Sequence, residues 1–157
     1  MVTRGFNVFL AFLRIAAGAA LVGPGLHKLG WFANPTLAEK LTAWSQHAAN
    51  PLISKYLSLV QPHATLFARL VVVGELGLGT LLILGFLTPL ASLLAFLMVL
   101  NFHFASGSMF TLDYFTGQSG LVFLLVFPVL FFGRAGTALG LDGFIAGQGR
   151  KPAPKPA

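Results

Sequence analysis

The stretch Ala68–Phe86, ARLVVVGELGLGTLLILGF, constrains the fold more than any other part of the chain. It is apolar and long enough to cross a hydrocarbon core of roughly 30 Å, yet it carries Arg69 and, nearer its middle, Glu75. A carboxylate at that depth costs roughly 2.5–3.5 kcal/mol on insertion scales, so it must face protein or water and have a partner. Gly74, Gly77 and Gly79 flank it, and small residues let a neighbouring helix come close. Any polar site should therefore lie on the Glu75 face of this helix.

Composition extends that constraint to the whole chain. Charged residues make up only 9% and hydrophobic residues 56%, whereas a soluble domain carries about a quarter charged residues. The charges sit mostly between and beyond the apolar runs, so the expected fold class is all-α: a polytopic membrane protein of one domain whose first partner is the lipid bilayer. The net charge of +6 fits retained Lys and Arg and attraction to anionic headgroups. No basic run is interleaved with exposed aromatics, so no nucleic-acid partner is expected. The absence of cysteine excludes disulfides, thiolate metal sites and iron–sulfur ligation.

Four spans are expected, at about 6–26, 66–87, 89–105 and 118–132. The first has a basic start and small residues at Ala17–Ala20, like a signal peptide, but Arg14 interrupts it and the apolar run continues; it reads as a retained span. Arg14, Ala17, Gly18, Leu21 and Gly25 recur at helical spacing, a small-residue face around one cation. Pro24 should kink or end this helix, and His27 and Lys28 mark the water interface, with Lys28 as an interfacial anchor. From Gly30 to His63 the Asn34-Pro35 and Asn50-Pro51 turns punctuate two short segments. The first is an amphipathic interfacial helix with Leu37, Leu41 and Trp44 on one stripe. Together they are either a greasy connecting loop or a lid over the outer end of the bundle. Thr88-Pro89 turns the second span into the third. The single membrane domain should occupy residues 1–147, and the basic, Pro-rich 148–157 should be a disordered tail. The distribution of Lys and Arg favours both termini in the cytoplasm.

Counting about 1.5 Å per residue from the outer ends of the first two spans puts Arg14 and Glu75 at depths within reach of one another. They are the candidate buried ion pair. A second polar group, His27, Lys28, Arg69, Asn101, His103 and Gln118, lies nearer the outer surface and is the candidate pocket. His103 reads either as a helix-end residue bonded to a backbone carbonyl or as a headgroup-binding or proton-handling group. No set of three ligands at metal-binding spacing is present, so no metal is expected.

Three segments then carry a resemblance. LRIAAGAALVGPGLHKLGWF resembles the first helix of the DoxX family, ARLVVVGELGLGTLLILGFLTP its second, and GRAGTALGLDG the stretch that closes the last span in many members. Arg14, Glu75 and Arg134 match polar positions typical of that family. The resemblance implies a small four-helix protein of the bacterial cytoplasmic (inner) membrane. It also implies kinship with a subunit of an archaeal thiosulfate:quinone oxidoreductase and with members associated with redox or detoxification operons. Catalytic residues are not defined across the family, so none is carried over. A wider superfamily includes eukaryotic cargo receptors and assembly chaperones.

On these grounds the first functional expectation is a redox-associated accessory subunit, part of a quinone-linked oxidoreductase, whose polar core holds a quinone headgroup between aromatic walls. There is no flavin or nicotinamide fingerprint; GELGLG lies inside a span rather than at a strand–helix turn. Electrons would have to pass through a bound quinone or a partner protein. The alternatives are a non-enzymatic assembly or interaction protein, working with a protein partner or as a homo-oligomer, and a small transporter.

Overall fold

The computed structural model describes residues 4–48, 50–116 and 120–148, and its regular elements are all helical. Eight α-helices follow in order: α1 (Arg4–His27), α2 (Leu37–Gln46), α3 (Pro51–Val60), α4 (Ala64–Leu84), α5 (Thr88–Ala105), α6 (Leu112–Thr116), α7 (Gly120–Phe132) and α8 (Leu141–Gln148). Three stretches, Gly5–His27, Pro51–Leu84 and Thr88–Ala105, are long and apolar enough to cross a membrane, and Gly120–Phe132 is a shorter apolar helix. Residues 117–119 lie outside the described part, and so does the expected tail, apart from Gln148 at the end of α8.

Helices α1 and α4 run antiparallel and touch through glycine. A Cβ at Gly18 would lie 2.6 Å from the Gly79 carbonyl oxygen, and one at Gly79 would lie 2.7 Å from that of Gly18. Such an approach replaces side-chain interdigitation by backbone contact, the arrangement that small residues permit in lipid. On the other side of the bundle, Ala91, Ala95 and Val99 of α5 share a buried cluster with Leu124, Phe127 and Leu130 of α7. The outward surface carries Phe9, Phe12, Leu66, Leu70, Leu94, Val122 and Leu125, all exposed. A bundle with this many large apolar groups facing out is clothed by lipid. Helix α1 continues three residues past Pro24 to His27 rather than ending there, and α7 likewise contains Pro128.

The α4–α5 turn is held by a Schellman motif: Gly85 adopts a left-handed conformation (φ 67°), and Phe86 N–H donates to the Leu81 carbonyl at 3.0 Å. Thr88 and Pro89 then open α5. At the opposite end, α2 and α3 fold over the start of α4. Leu37, Leu41, Ile53, Leu57 and Val60 are buried in one cluster with Ala64 and Ala68, so the connection between α1 and α4 is a packed cap. The apolar stripe Leu37, Leu41, Trp44 forms as its spacing predicts: the two leucines are buried and Trp44 packs against that cluster.

Candidate functional site

The two buried charges occupy opposite ends of the α1–α4 contact. Arg14 is fully buried, and its guanidinium donates to the carbonyls of Ala135 (3.3 Å) and Leu139 (3.1 Å), in the segment joining α7 to α8. Asp142 supplies the nearby negative charge. The Asp142 carboxylate accepts from the backbone N–H groups of Leu87 (2.8 Å) and Thr88 (2.9 Å), while its own N–H donates to Gly85 O (2.9 Å). A carboxylate from a distant segment thus caps α5, whose N-cap residue Leu87 has no side-chain acceptor of its own. Three non-glycine residues with left-handed backbone, Leu87 (φ 47°), Arg134 (φ 46°) and Leu139 (φ 52°), surround this clasp. Conformations of that kind cost about 1–3 kcal/mol each and persist where the surroundings over-determine them. Arg14, Asp142 and the turn at Gly85 do so here.

The expected Arg14–Glu75 pair does not form. Gly18 meets Gly79 and Gly25 meets Glu75 and Leu76, which places Arg14 beside Gly85 and about 16 Å along α1 from the level of Glu75. Counting from the outer ends treated α1 and α4 as level. Helix α4 in fact begins higher, because its first turns carry the α2–α3 cap. The partner of Glu75 is Lys28, to whose ammonium it is joined by a direct salt bridge. Lys28 is therefore more than an interfacial anchor. Its side chain is 22% exposed and that of Glu75 8%, and Glu75 Oε2 has no hydrogen-bond partner among the described residues. The Lys28 ammonium also stands over two aromatic rings, 5.6 Å from the centroid of Trp31 and 5.7 Å from that of Phe102. Contacts of this kind contribute roughly 0.5–2 kcal/mol, increasing as water is excluded.

Phe102 belongs to the wall of a cavity of about 600 Å³ between α2, α3, α4 and α5. Trp44, Phe67, Val71, Met98 and Leu41 also line it. It opens sideways, where Leu70, Leu94 and Leu97 are exposed, which in a membrane is the lipid side. Its polar groups are the Tyr56 hydroxyl and the Asn101 amide, with Oη 3.0 Å from Oδ1 and 2.7 Å from Nδ2. One bond between them leaves at least one O–H or N–H free to donate to a ligand oxygen. Burial pushes the Tyr56 phenol above its usual 10.0, so it stays a neutral donor at physiological pH.

The candidate pocket residues do not converge. Asn101 lines the cavity, but His103, two residues further along α5, is turned by about 200° and bonds through Nδ1 to the Tyr114 hydroxyl at 3.0 Å. Its ring meets the Tyr114 ring edge-on, with centroids 5.1 Å apart, so it ties α6 to α5. Neither sequence alternative for His103 anticipated Tyr114. Arg69 is exposed and reaches the Phe32 carbonyl at 3.3 Å. His27 is exposed at the end of α1, and Gln118 lies outside the described residues. Sequence reasoning missed Tyr56, Phe102 and Asp142. The first two are separated from their partners by long stretches of chain. The third had one available signal: a helix opening Leu-Thr-Pro without an acceptor needs one from elsewhere. Among the described residues no cluster of three His, Asp or Glu could hold a metal ion.

The arrangement can bind an apolar molecule bearing a hydrogen-bond acceptor, admitted from the bilayer, beside a shielded ion pair. Among known families, the DoxX family model matches residues 9–108. No curated protein and no solved structure matches the chain.

Proposed function

The chain belongs to the DoxX family, a multi-pass membrane protein on the evidence of its apolar helices, and we propose that it is a quinone-linked accessory subunit that binds the quinone in the cavity under the α2–α3 cap. The observation that carries this reading is the cavity itself. A volume of about 600 Å³ lies in the range of small-molecule sites, which are mostly apolar with a few placed polar groups. Trp44, Phe67 and Phe102 supply aromatic walls, and Tyr56 and Asn101 offer donors for a ring oxygen. The sideways opening admits a ligand that never leaves the lipid. When bound, the quinone would supply electron-carrying chemistry that no side chain of this chain has; the residues bind and orient it and exclude water. In this reading four helices, α1, α4, α5 and α7, span a bacterial cytoplasmic membrane, with both termini on the cytoplasmic side.

The test is quinone-dependent protection of the purified protein against thermal unfolding. A ligand at about one hundred times its dissociation constant adds roughly 2.7 kcal/mol. Asn101→Leu should reduce that protection while leaving the unliganded unfolding temperature nearly unchanged, because Asn101 is exposed. His103→Phe should leave the protection intact, since His103 faces Tyr114. A wild-type protein that shows no quinone-dependent shift would favour the assembly-protein alternative.

A further inference from the structure

We propose that the Lys28–Glu75 pair gives the cavity a preference for the reduced form of its ligand: the electron-rich quinol ring is held more tightly than the electron-poor quinone ring. This rests on the quinone reading above. The polar pair Tyr56–Asn101 serves both forms, donating to a quinone oxygen and accepting from a quinol hydroxyl, but it cannot carry the influence of the Lys28–Glu75 charges to the ligand ring. Phe102 can. It lines the cavity and is adjacent in sequence to Asn101, while the Lys28 ammonium stands over its ring from outside the lining.

A cation over an aromatic face draws π density toward itself. The quadrupole that governs ring–ring contacts is then weakened on Phe102, and a ring rich in electrons stacks on it better than one depleted of them. Glu75 keeps the cation there. Without the carboxylate, a side chain that is 22% exposed would extend its ammonium toward water along its flexible stem. The scaffold alone gives no reason to keep the pair, since well-packed apolar residues in place of a buried ion pair are often as stable or more so. Trp31, over which Lys28 and Lys40 both stand (5.6 and 5.3 Å to the centroid), closes the other side of the ammonium.

The experiment measures dissociation constants of a short-chain benzoquinone and of its quinol, the latter kept reduced without oxygen, on the purified protein. Wild type should bind the quinol tighter by about threefold to tenfold, within what a single ring–ring contact contributes. Phe102→Leu keeps apolar bulk and leaves the ion pair intact, so the fold is spared; both forms should still bind, with a ratio near one. Lys28→Met combined with Glu75→Gln should give the same levelled ratio, and Lys28→Arg should preserve the wild-type one. A purely structural role for the pair would lower both affinities together and leave the ratio unchanged. A wild-type ratio near one, or a preference that survives Phe102→Leu, overturns the proposal while quinone binding stands. If neither form binds, this proposal and the quinone reading both fall.

Discussion

Replacing either member of the Lys28–Glu75 pair should destabilise the protein, and replacing both should not do so additively. Breaking a fully buried pair costs about 3–5 kcal/mol, because the surviving charge is left without compensation. Lys28 is 22% exposed on its side chain and can turn toward water, whereas Glu75 at 8% cannot. Solvent screening therefore discounts the loss in Glu75→Gln to about 1–2 kcal/mol, and Lys28→Met should approach about 3 kcal/mol. For a chain of this length each kcal/mol moves the midpoint by about 2–4 °C. Thermal unfolding in detergent, followed by the fluorescence of Trp31 and Trp44, would resolve these shifts. The double variant has no orphaned charge and should recover about 1–3 kcal/mol relative to the sum of the singles. The control cycle pairs Glu75→Gln with Arg14→Met, which should add within about 0.5 kcal/mol, as expected for sites more than about 10 Å apart. Coupling between Arg14 and Glu75, or strict additivity between Lys28 and Glu75, would refute the assignment of partners.

Four further outcomes follow from the geometry. Asp142→Ala removes the acceptor of two backbone N–H groups and the charge opposite Arg14, and should cost about 2–4 kcal/mol in the same assay; Asp142→Asn should cost less. Gly85→Ala places a Cβ on a left-handed residue and into the Arg14 guanidinium, so it should abolish folded protein, whereas Gly5→Ala, with open space around it, should be neutral or slightly stabilising. Burial raises the phenols of Tyr114 and Tyr56, the only two tyrosines, above 10.0. Tyrosinate absorbance should therefore appear only above that pH in the folded protein, and stability should fall as pH rises from about 10 toward the folded-state values, because the unfolded chain ionises first. In this chain without native cysteine, a single cysteine at Ser45 should react with an impermeant reagent in intact cells and one at Ala153 should not; the reverse would invert the proposed orientation.

What the sequence made legible follows from the range of each interaction. Helix existence depends on local apolar length and on turn chemistry. The second span at about 66–87 and the start of the third at Thr88-Pro89 could be read directly, and so could the stripe of Leu37, Leu41 and Trp44; the turn itself falls earlier, at Gly85. That Arg14 and Glu75 are buried was also legible, because a charge inside an apolar run has no other low-energy place. Their partners were not. Partner choice depends on the stagger between helices, and here α4 rises above the end of α1 to carry a cap whose height no local pattern records. Tyr56 and Asn101 lie 45 residues apart, and Arg14 and Leu139 lie 125 apart. Helix α8 and the return of the chain beneath Gly85 were not anticipated. The short GRAGTALGLDG stretch has too weak a periodicity, and it is held by tertiary bonds to Arg14, Leu87 and Thr88.

The cavity beneath α2 and α3 should receive a quinone. Photo-crosslinking with an azido-quinone in membranes, followed by identification of the labelled peptides, tests this most directly. Labelling should fall on the α3 segment around Tyr56 and on the α4 and α5 segments around Phe67–Val71 and Met98–Phe102, and an excess of unmodified quinone should suppress it. Labelling that excess quinone does not suppress, or that falls instead between α5 and α7 at Phe96, Phe127 and Phe131, where a smaller cavity of about 290 Å³ lies, would contradict it.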